Sequence, residues 1–131
     1  MPMDKPSRGR LVTYWIVTAL IAFEMALGGA WDLLRTPLVR AISDHIHFPL
    51  YVLTILGFWK VAGAIAILVP RYPLLKEWAY AGGFFVYSGA VASHLLVGDG
   101  PDHWAAPPVF AVMVVASWWL RPPNRRLQKA S

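Results

Sequence analysis

The chain has 131 residues, of which 57% are hydrophobic and only 15% are charged. Soluble domains carry about a quarter charged residues and need a polar surface, so this composition excludes an aqueous monomer. The lack of cysteine excludes disulfides, thiolate nucleophiles and cysteine-ligated metals. The net charge of +5 does not indicate nucleic-acid binding, because the basic residues flank apolar runs instead of forming one exposed surface.

Four apolar runs follow one another along the chain. They cover residues 11–31, 50–69, 78–97 and 104–120, with tails at 1–10 and 121–131. Crossing a bilayer as a helix takes roughly 17–25 residues, so each run is long enough. Proline and glycine lie in the connections between the runs. The sequence therefore predicts a single all-α integral membrane domain, residues 1–131, folded as a four-helix bundle.

The distribution of basic residues predicts the orientation of this bundle. Nine lysines and arginines lie before the first span, between the second and third spans, or after the fourth. Only Arg35 and Arg40 lie in the two connections that would face the other side. Because basic residues favour the cytoplasmic side, both termini are predicted to be cytoplasmic. The loop 32–49 and the turn 98–103 then face outward, and we expect both to be irregular connections.

Two charged residues lie inside the predicted spans, Glu24 in the first and Lys60 in the second. A charge near the bilayer centre costs roughly 2.5–3.5 kcal/mol. Their depths below the outer interface are about 10 and 15 Å at the helical rise. We therefore predict that the two charges pair inside the bundle. The pair could serve only to fix the packing of the helices, or it could line a cavity and contact a ligand or a proton.

His94 lies about 5 Å below the outer end of the third span and shares a helix face with Tyr87. It could be an interfacial histidine bonded to water. It could also complete a polar path that leads inward past Glu24 to Lys60. The second interpretation makes Glu24, Lys60 and His94 the candidate catalytic residues. The apolar end of a ligand would then pack among three aromatic side chains: Phe58, Trp59 and Tyr87.

Histidines and aspartates collect on the predicted outer side, where a solvated polar surface is the simplest interpretation. His45 and His47 could offer two imidazoles to a metal ion. They lie in a predicted loop, however, without the i, i+4 spacing of helical ligand pairs. We therefore predict no metal site from the sequence.

Several short strings are spread over nearly the whole chain. They are Gly28–Gly29–Ala30–Trp31–Asp32, Ile55–Leu56–Gly57–Phe58–Trp59–Lys60, Lys76–Glu77–Trp78–Ala79–Tyr80–Ala81–Gly82 and Ser93–His94. With these strings, the segment from about Tyr14 to Arg121 resembles the DoxX-like family of small bacterial four-helix membrane proteins. The resemblance implies a location in the bacterial cytoplasmic (inner) membrane.

The resemblance also implies candidate site residues and a candidate cofactor. Glu24, Lys60, Glu77 and His94 match polar positions of the family. Glu77, together with Asp32 at the end of the first string, therefore joins the predicted ligand-binding set. The family's name comes from a membrane subunit associated with quinone reduction, so quinone is the candidate cofactor.

Four functions remain open from the sequence, of which the fourth, a transporter, would need oligomerisation to form a path. The first is a membrane subunit that binds quinone or a similar apolar small molecule for a redox protein partner. The second is an intramembrane acid/base enzyme acting on a hydrophobic small molecule. The third is a non-catalytic assembly or accessory factor. Because four spans leave little room for an enclosed site, a homodimer is the expected assembly.

Overall fold

The computed structural model describes residues 4–128, so the outermost residues of both predicted tails lie outside the described part. Within it the chain forms helices and no strand, as the all-α prediction requires. The helices are α1 (Arg8–Leu34), α2 (Pro37–His45), α3 (Leu50–Leu68), α4 (Pro73–Leu96), α5 (Pro101–Trp104) and α6 (Ala106–Leu120), followed by a 3₁₀ turn (Pro123–Arg125).

Local sequence signals set the helix ends. The hydroxyl of Ser7 accepts a hydrogen bond from the Arg10 amide at the start of α1. Three other helices begin at a proline (Pro37, Pro73 and Pro101), where the missing N–H has no helical partner to lose. Helix α1 ends at Leu34, and the following Arg35 adopts the left-handed conformation and donates its amide hydrogen to the Asp32 carbonyl.

Four long helices pack in a ring. Helix α1 contacts α3 and α6, and α4 contacts the same two neighbours. The buried core at the centre combines apolar side chains with two tyrosines: Ile21, Ala22, Met25, Ala64, Ile67, Tyr80, Tyr87 and Val114. The short helix α2 packs on α3, and α5 packs on α4 and α6.

Helices α1 and α3 approach to backbone contact at two glycines. A Cβ atom on Gly57 would lie 2.6 Å from the Gly29 carbonyl oxygen, and a Cβ on Gly29 would lie 2.9 Å from the Gly57 carbonyl oxygen. Real Cβ atoms essentially never come this close to backbone. Glycine at both positions is therefore what allows the two helices to meet, which brings Lys60 of α3 against α1.

Three helical segments are long and apolar enough to cross a membrane: Arg8–Leu34, Leu50–Leu68 and Pro101–Leu120. They contain the first, second and fourth predicted spans. The third predicted span, 78–97, lies almost entirely in α4, which is not among the three segments. Its glycines, serines, tyrosines and His94 lower its hydropathy. Large apolar side chains such as Phe23, Phe85 and Val112 are about two-thirds exposed on the outside of the bundle.

The two predicted outer connections contain helices, which the apolar pattern did not indicate. Helix α2 forms inside the loop 32–49, where Val39 and Ser43 are buried. Ser43 also donates a hydrogen bond to the Phe48 carbonyl, which closes the turn after α2. Helix α5 forms one turn inside 98–103 and continues toward α6. Both are too short and too polar to be recognised as spans.

The opposite end of the bundle is rich in basic side chains. The fully buried Lys76 donates to the Ala66 carbonyl, and Arg125 donates to the carbonyls of Ile67 and Leu68. These cations satisfy carbonyls that have no partner at the C-terminus of α3 and favour its dipole. Arg10 donates to the Trp119 carbonyl at the same end. The start of α1, the α3–α4 connection and the segment after α6 therefore lie together.

Candidate functional site

The first polar group of the site is built on one face of α1. Glu24, Gly28 and Asp32 are spaced by four residues, which places them one above another along this face. The Lys60 ammonium of α3 lies against it and forms an ion pair with Asp32, with Nζ 3.3 Å from Oδ2. Both side chains are largely buried, at 13% and 12% exposed.

The predicted ion pair between Glu24 and Lys60 is therefore not the one that forms. Asp32 lies two turns closer to the outer end than Glu24. The four-carbon stem of Lys60 carries its ammonium outward from the middle of α3 to reach it. The depth of the Lys60 backbone alone does not reveal this partner.

Gly28 provides the space for the Lys60 ammonium. A Cβ atom on Gly28 would lie 2.6 Å from Lys60 Nζ and 3.1 Å from Glu24 Oε1. The ammonium and the Glu24 carboxylate therefore lie over the same point of α1 without forming an ion pair of their own. Lys60 is placed between the two carboxylates, with its hydrogen bond to Asp32.

A third helix joins this group through Tyr87 of α4. Its hydroxyl donates a hydrogen bond to Glu24 Oε2. The Tyr87 side chain is buried, and its ring packs on Phe110 of α6 at 5.4 Å between centroids. Tyr87 therefore links Glu24 of α1 to Phe110 of α6.

These groups line a cavity of about 640 Å³. Glu24, Asp32, Lys60, Tyr87 and His94 all line it, with Asp32 and His94 close to the ends of α1 and α4. Most of the remaining lining is apolar, including Leu38, Leu53, Leu56, Val86, Ala90 and Phe110. The structure therefore brings the three predicted residues Glu24, Lys60 and His94 to one cavity.

Three other predicted ligand-binding residues, Phe58, Trp59 and Glu77, do not line this cavity. Phe58 is 58% exposed and lines neither this cavity nor its neighbour. Trp59 lines a second, more apolar cavity of about 460 Å³, which shares Lys60 with the first. Residues adjacent in a helix point about 100° apart, so Trp59 lines the second cavity without reaching the first.

Glu77 lies at the basic end of the bundle. Its carboxylate pairs with Arg121, whose Nη1 is 2.8 Å from Oε1, and accepts a hydrogen bond from the Trp118 indole at 2.8 Å. The family-based proposal of a ligand contact at Glu77 therefore has no geometric link to the cavity of about 640 Å³.

A second polar group forms at the outer end, around Asp99. His94 Nδ1 lies 2.6 Å from Oδ2, and His45 Nε2 lies 2.7 Å from Oδ1. His103 stacks on His45, with ring centroids 5.2 Å apart and planes at 18°. The hydrogen bond to His94 is the largest cause that lowers the pKa of Asp99 below its usual value. Desolvation opposes it, and the hydrogen bond to His45 adds to the lowering.

Sequence reasoning missed this outer group. It considered His45 together with His47, but His47 is exposed and has a positive φ of 63° beyond the end of α2. His45 instead joins Asp99 and His103, two residues that the sequence placed on the outer side without assigning them a contact. Asp99 and His103 meet His45 only because two separate connections fold against each other. The residue spacing within either connection does not predict this contact.

A model of the DoxX-like family matches residues 16–117. This segment covers most of the chain and contains the cavity residues described above. The chain belongs to the DoxX-like family. A comparison with curated proteins and another with solved structures found no match. Membership of the DoxX-like family and the three apolar helices together indicate a membrane protein.

Proposed function

We propose that this DoxX-like protein is a subunit of the bacterial cytoplasmic membrane that binds quinone or a similar apolar small molecule for a redox protein partner. Its four long helices cross the bilayer with both termini in the cytoplasm. The observation that carries the proposal is the convergence of Glu24, Asp32, Lys60 and Tyr87 on one cavity whose lining is mostly apolar. Apolar cavities with a few convergent polar groups are the usual form of small-molecule sites.

The chemistry of these four side chains suits a ligand with a polar end and an apolar body. The Lys60 ammonium can donate to a ligand carbonyl while it keeps its bond to Asp32. Tyr87 and Glu24 form a hydrogen-bonded pair that can pass a proton to an oxygen that becomes charged on reduction. The electrons come from the redox partner.

The apolar body of the ligand would occupy the part of the cavity formed by Leu56, Val86 and Phe110. These three residues take the place of Phe58 and Trp59, which the sequence predicted as the apolar contacts of the ligand. The cost of placing charges within a membrane domain supports a role for them beyond packing, because intramembrane ionisable residues mark ligand and proton sites by default.

The orientation is supported by the charge distribution. The α3–α4 connection and the segments next to both termini lie at one end of the bundle, where the basic side chains gather. Arg35 and Arg40 lie at the other end. This asymmetry follows the rule that basic residues remain on the cytoplasmic side.

The proposal is tested by measuring the affinity of the purified protein for decylubiquinone in mild detergent. Quenching of tryptophan fluorescence reports the binding. Lys60→Met and Glu24→Gln should each weaken binding by at least about tenfold, the effect of losing one charge-assisted hydrogen bond. Glu77→Gln is the matched control, because it makes the same change at the opposite end and should leave the affinity unchanged. Equal affinity in all variants, or no binding by the unaltered protein, would overturn the proposal.

The hydrogen bond from Tyr87 to Glu24 also favours a second candidate, an intramembrane acid/base enzyme. Extraction of the protein purified from its native membrane distinguishes the two. Co-purified quinone supports the first function, and a different bound hydrophobic molecule that the protein converts supports the second. A stable protein partner with no bound molecule indicates an accessory factor and contradicts both.

A further inference from the structure

The outer end of the bundle carries a set of metal-ligating atoms that the proposed function does not use. One atom each from His45, Asp99 and His103 lies within 4.8 Å of the others. The three residues come from separate segments: the last residue of α2, the connection after α4, and α5. The fold therefore brings His45 to Asp99 and His103, which lie more than 50 residues later in the sequence.

The residue types fit a divalent transition-metal ion. Two imidazoles and one carboxylate are the protein ligands of many catalytic zinc sites, which keep a fourth position for water or a substrate. The same set suits other first-row metals that prefer nitrogen and oxygen donors. Among the described residues, the shortest approach within the set is His45 Nε2 to Asp99 Oδ1 at 2.7 Å, a hydrogen bond that an ion would replace.

The spacing requires only a small adjustment. Zinc–ligand distances of about 2.0–2.2 Å place two ligand atoms of a tetrahedral ion about 3.4 Å apart. The largest separation here is no more than 4.8 Å. The His45 and His103 side chains are 46% and 47% exposed, so rotation of either imidazole can close the difference.

His94 positions the carboxylate for this role. Its Nδ1 holds Asp99 Oδ2 at 2.6 Å, which leaves Oδ1 facing His45. Both side chains are largely buried, at 10% and 8% exposed. A buried ligand carboxylate held by a second hydrogen-bonding group is the usual arrangement around protein metal sites.

We propose that His45, Asp99 and His103 bind one divalent transition-metal ion, of which Zn²⁺ is the representative, with His94 as a positioning residue for Asp99. The ion lies at the outer end of the cavity, because His94 and His103 also line that cavity. Its fourth coordination position is open to water or to a ligand. This proposal does not rest on quinone binding, since none of its ligands is Glu24, Lys60 or Tyr87.

The proposal is tested by measuring Zn²⁺ binding to the full chain in detergent. The protein carries no histidine tag and is treated with chelator beforehand. Competition with a chromogenic chelator should give one Zn²⁺ per chain. His45→Gln, His103→Gln and Asp99→Asn should each weaken binding by at least about tenfold, and His94→Gln by about 10-fold to 100-fold, as for other residues that orient a ligand. Co²⁺ bound in place of Zn²⁺ should give visible absorption bands that Asp99→Asn alters.

His47→Gln provides the matched control. It removes an exposed histidine close to His45 but outside the group, and it should leave the affinity and stoichiometry unchanged. The proposal fails if the unaltered protein binds no Zn²⁺. It also fails if His47→Gln weakens binding as much as His45→Gln does. Because no quinone is present in this measurement, its failure is distinct from the failure of the proposed function.

Discussion

The Lys60 ammonium lies between two carboxylates of α1 and forms its ion pair with Asp32, 3.3 Å away. Glu24 shares the same surroundings but is bonded to Tyr87 instead. Each carboxylate on this face of α1 therefore has its own partner, and a substitution at one should be felt differently from a substitution at the other.

The Lys60–Asp32 pair should show energetic coupling. Lys60→Met leaves a largely buried carboxylate, and Asp32→Asn leaves a largely buried ammonium. Each should lower the free energy of unfolding by about 1–3 kcal/mol, between the values for exposed and fully buried pairs. The double variant should recover part of this loss, as measured by denaturant titration in detergent.

A second cycle with Glu24→Gln and Lys60→Met controls for general effects on the site. Its coupling should be smaller, because Lys60 makes its hydrogen bond with Asp32. Strictly additive losses in the first cycle would show that Lys60 and Asp32 do not stabilise each other.

The close packing of α1 against α3 depends on glycine at position 57. A methyl group there would collide with backbone atoms of Gly29 and Leu33. Gly57→Ala should therefore destabilise the protein by about 1–3 kcal/mol, the usual cost of overpacking, and should weaken ligand binding by displacing Lys60. Thermal unfolding monitored by circular dichroism measures the first effect.

Gly82→Ala is the control for this substitution. A Cβ at Gly82 meets no atom within 4 Å, so the change adds helix propensity without a clash. It should leave stability unchanged or raise it by up to about 1 kcal/mol. An equal loss of stability in both variants would indicate that the close approach of α1 and α3 is unimportant.

The sequence predicted the long helices and the family well, because apolar runs of bilayer length and several distinctive strings determine them. It also predicted a cavity shared by Glu24, Lys60 and His94, since helix spacing and depth place these residues at successive levels. The predicted ion-pair partner of Lys60 was wrong, because a lysine side chain spans more than one helical turn. The helices inside the two outer connections were missed because their stability comes from packing on the bundle.

The aromatic surroundings of the ligand were less predictable for a related reason. Phe58 and Trp59 lie within two residues of Lys60 in sequence, but Phe58 is exposed on the bundle surface and Trp59 lines the second cavity. The outer histidine group depends on contacts between residues 45, 94, 99 and 103, which only the folded connections bring together. Patterns within one helix contain no information about such contacts.

Removing the hydroxyl of each of two buried tyrosines should change the free energy of unfolding by different amounts. Tyr87→Phe deletes the donor to Glu24 and should cost about 1.5–3 kcal/mol, the value for a hydrogen bond to a charged group. Tyr14→Phe should cost much less, because the Tyr14 hydroxyl lies near Tyr80 but makes no hydrogen bond of good geometry among the described residues. Unfolding titrations of both variants compare the same chemical change in two environments. Similar losses at the two positions would contradict the assignment of Tyr87 as the partner of Glu24.

The topology of the bundle can be tested by single cysteines in this cysteine-free chain. Lys5→Cys, Asp102→Cys and Asn124→Cys introduce thiols at exposed positions near the N-terminus, in α5 and after α6. If four helices cross with both termini inside, a membrane-impermeant maleimide added to intact cells should label only Cys at position 102. The other two should react only after lysis.

The same three variants separate the alternatives. If α4 does not cross the membrane and only the three more apolar segments do, position 124 should be labelled from outside and positions 5 and 102 should be protected. An inverted bundle should expose both 5 and 124 while protecting 102. Each result has its own pattern, so labelling decides both the number of crossings and the direction of the outer histidine group.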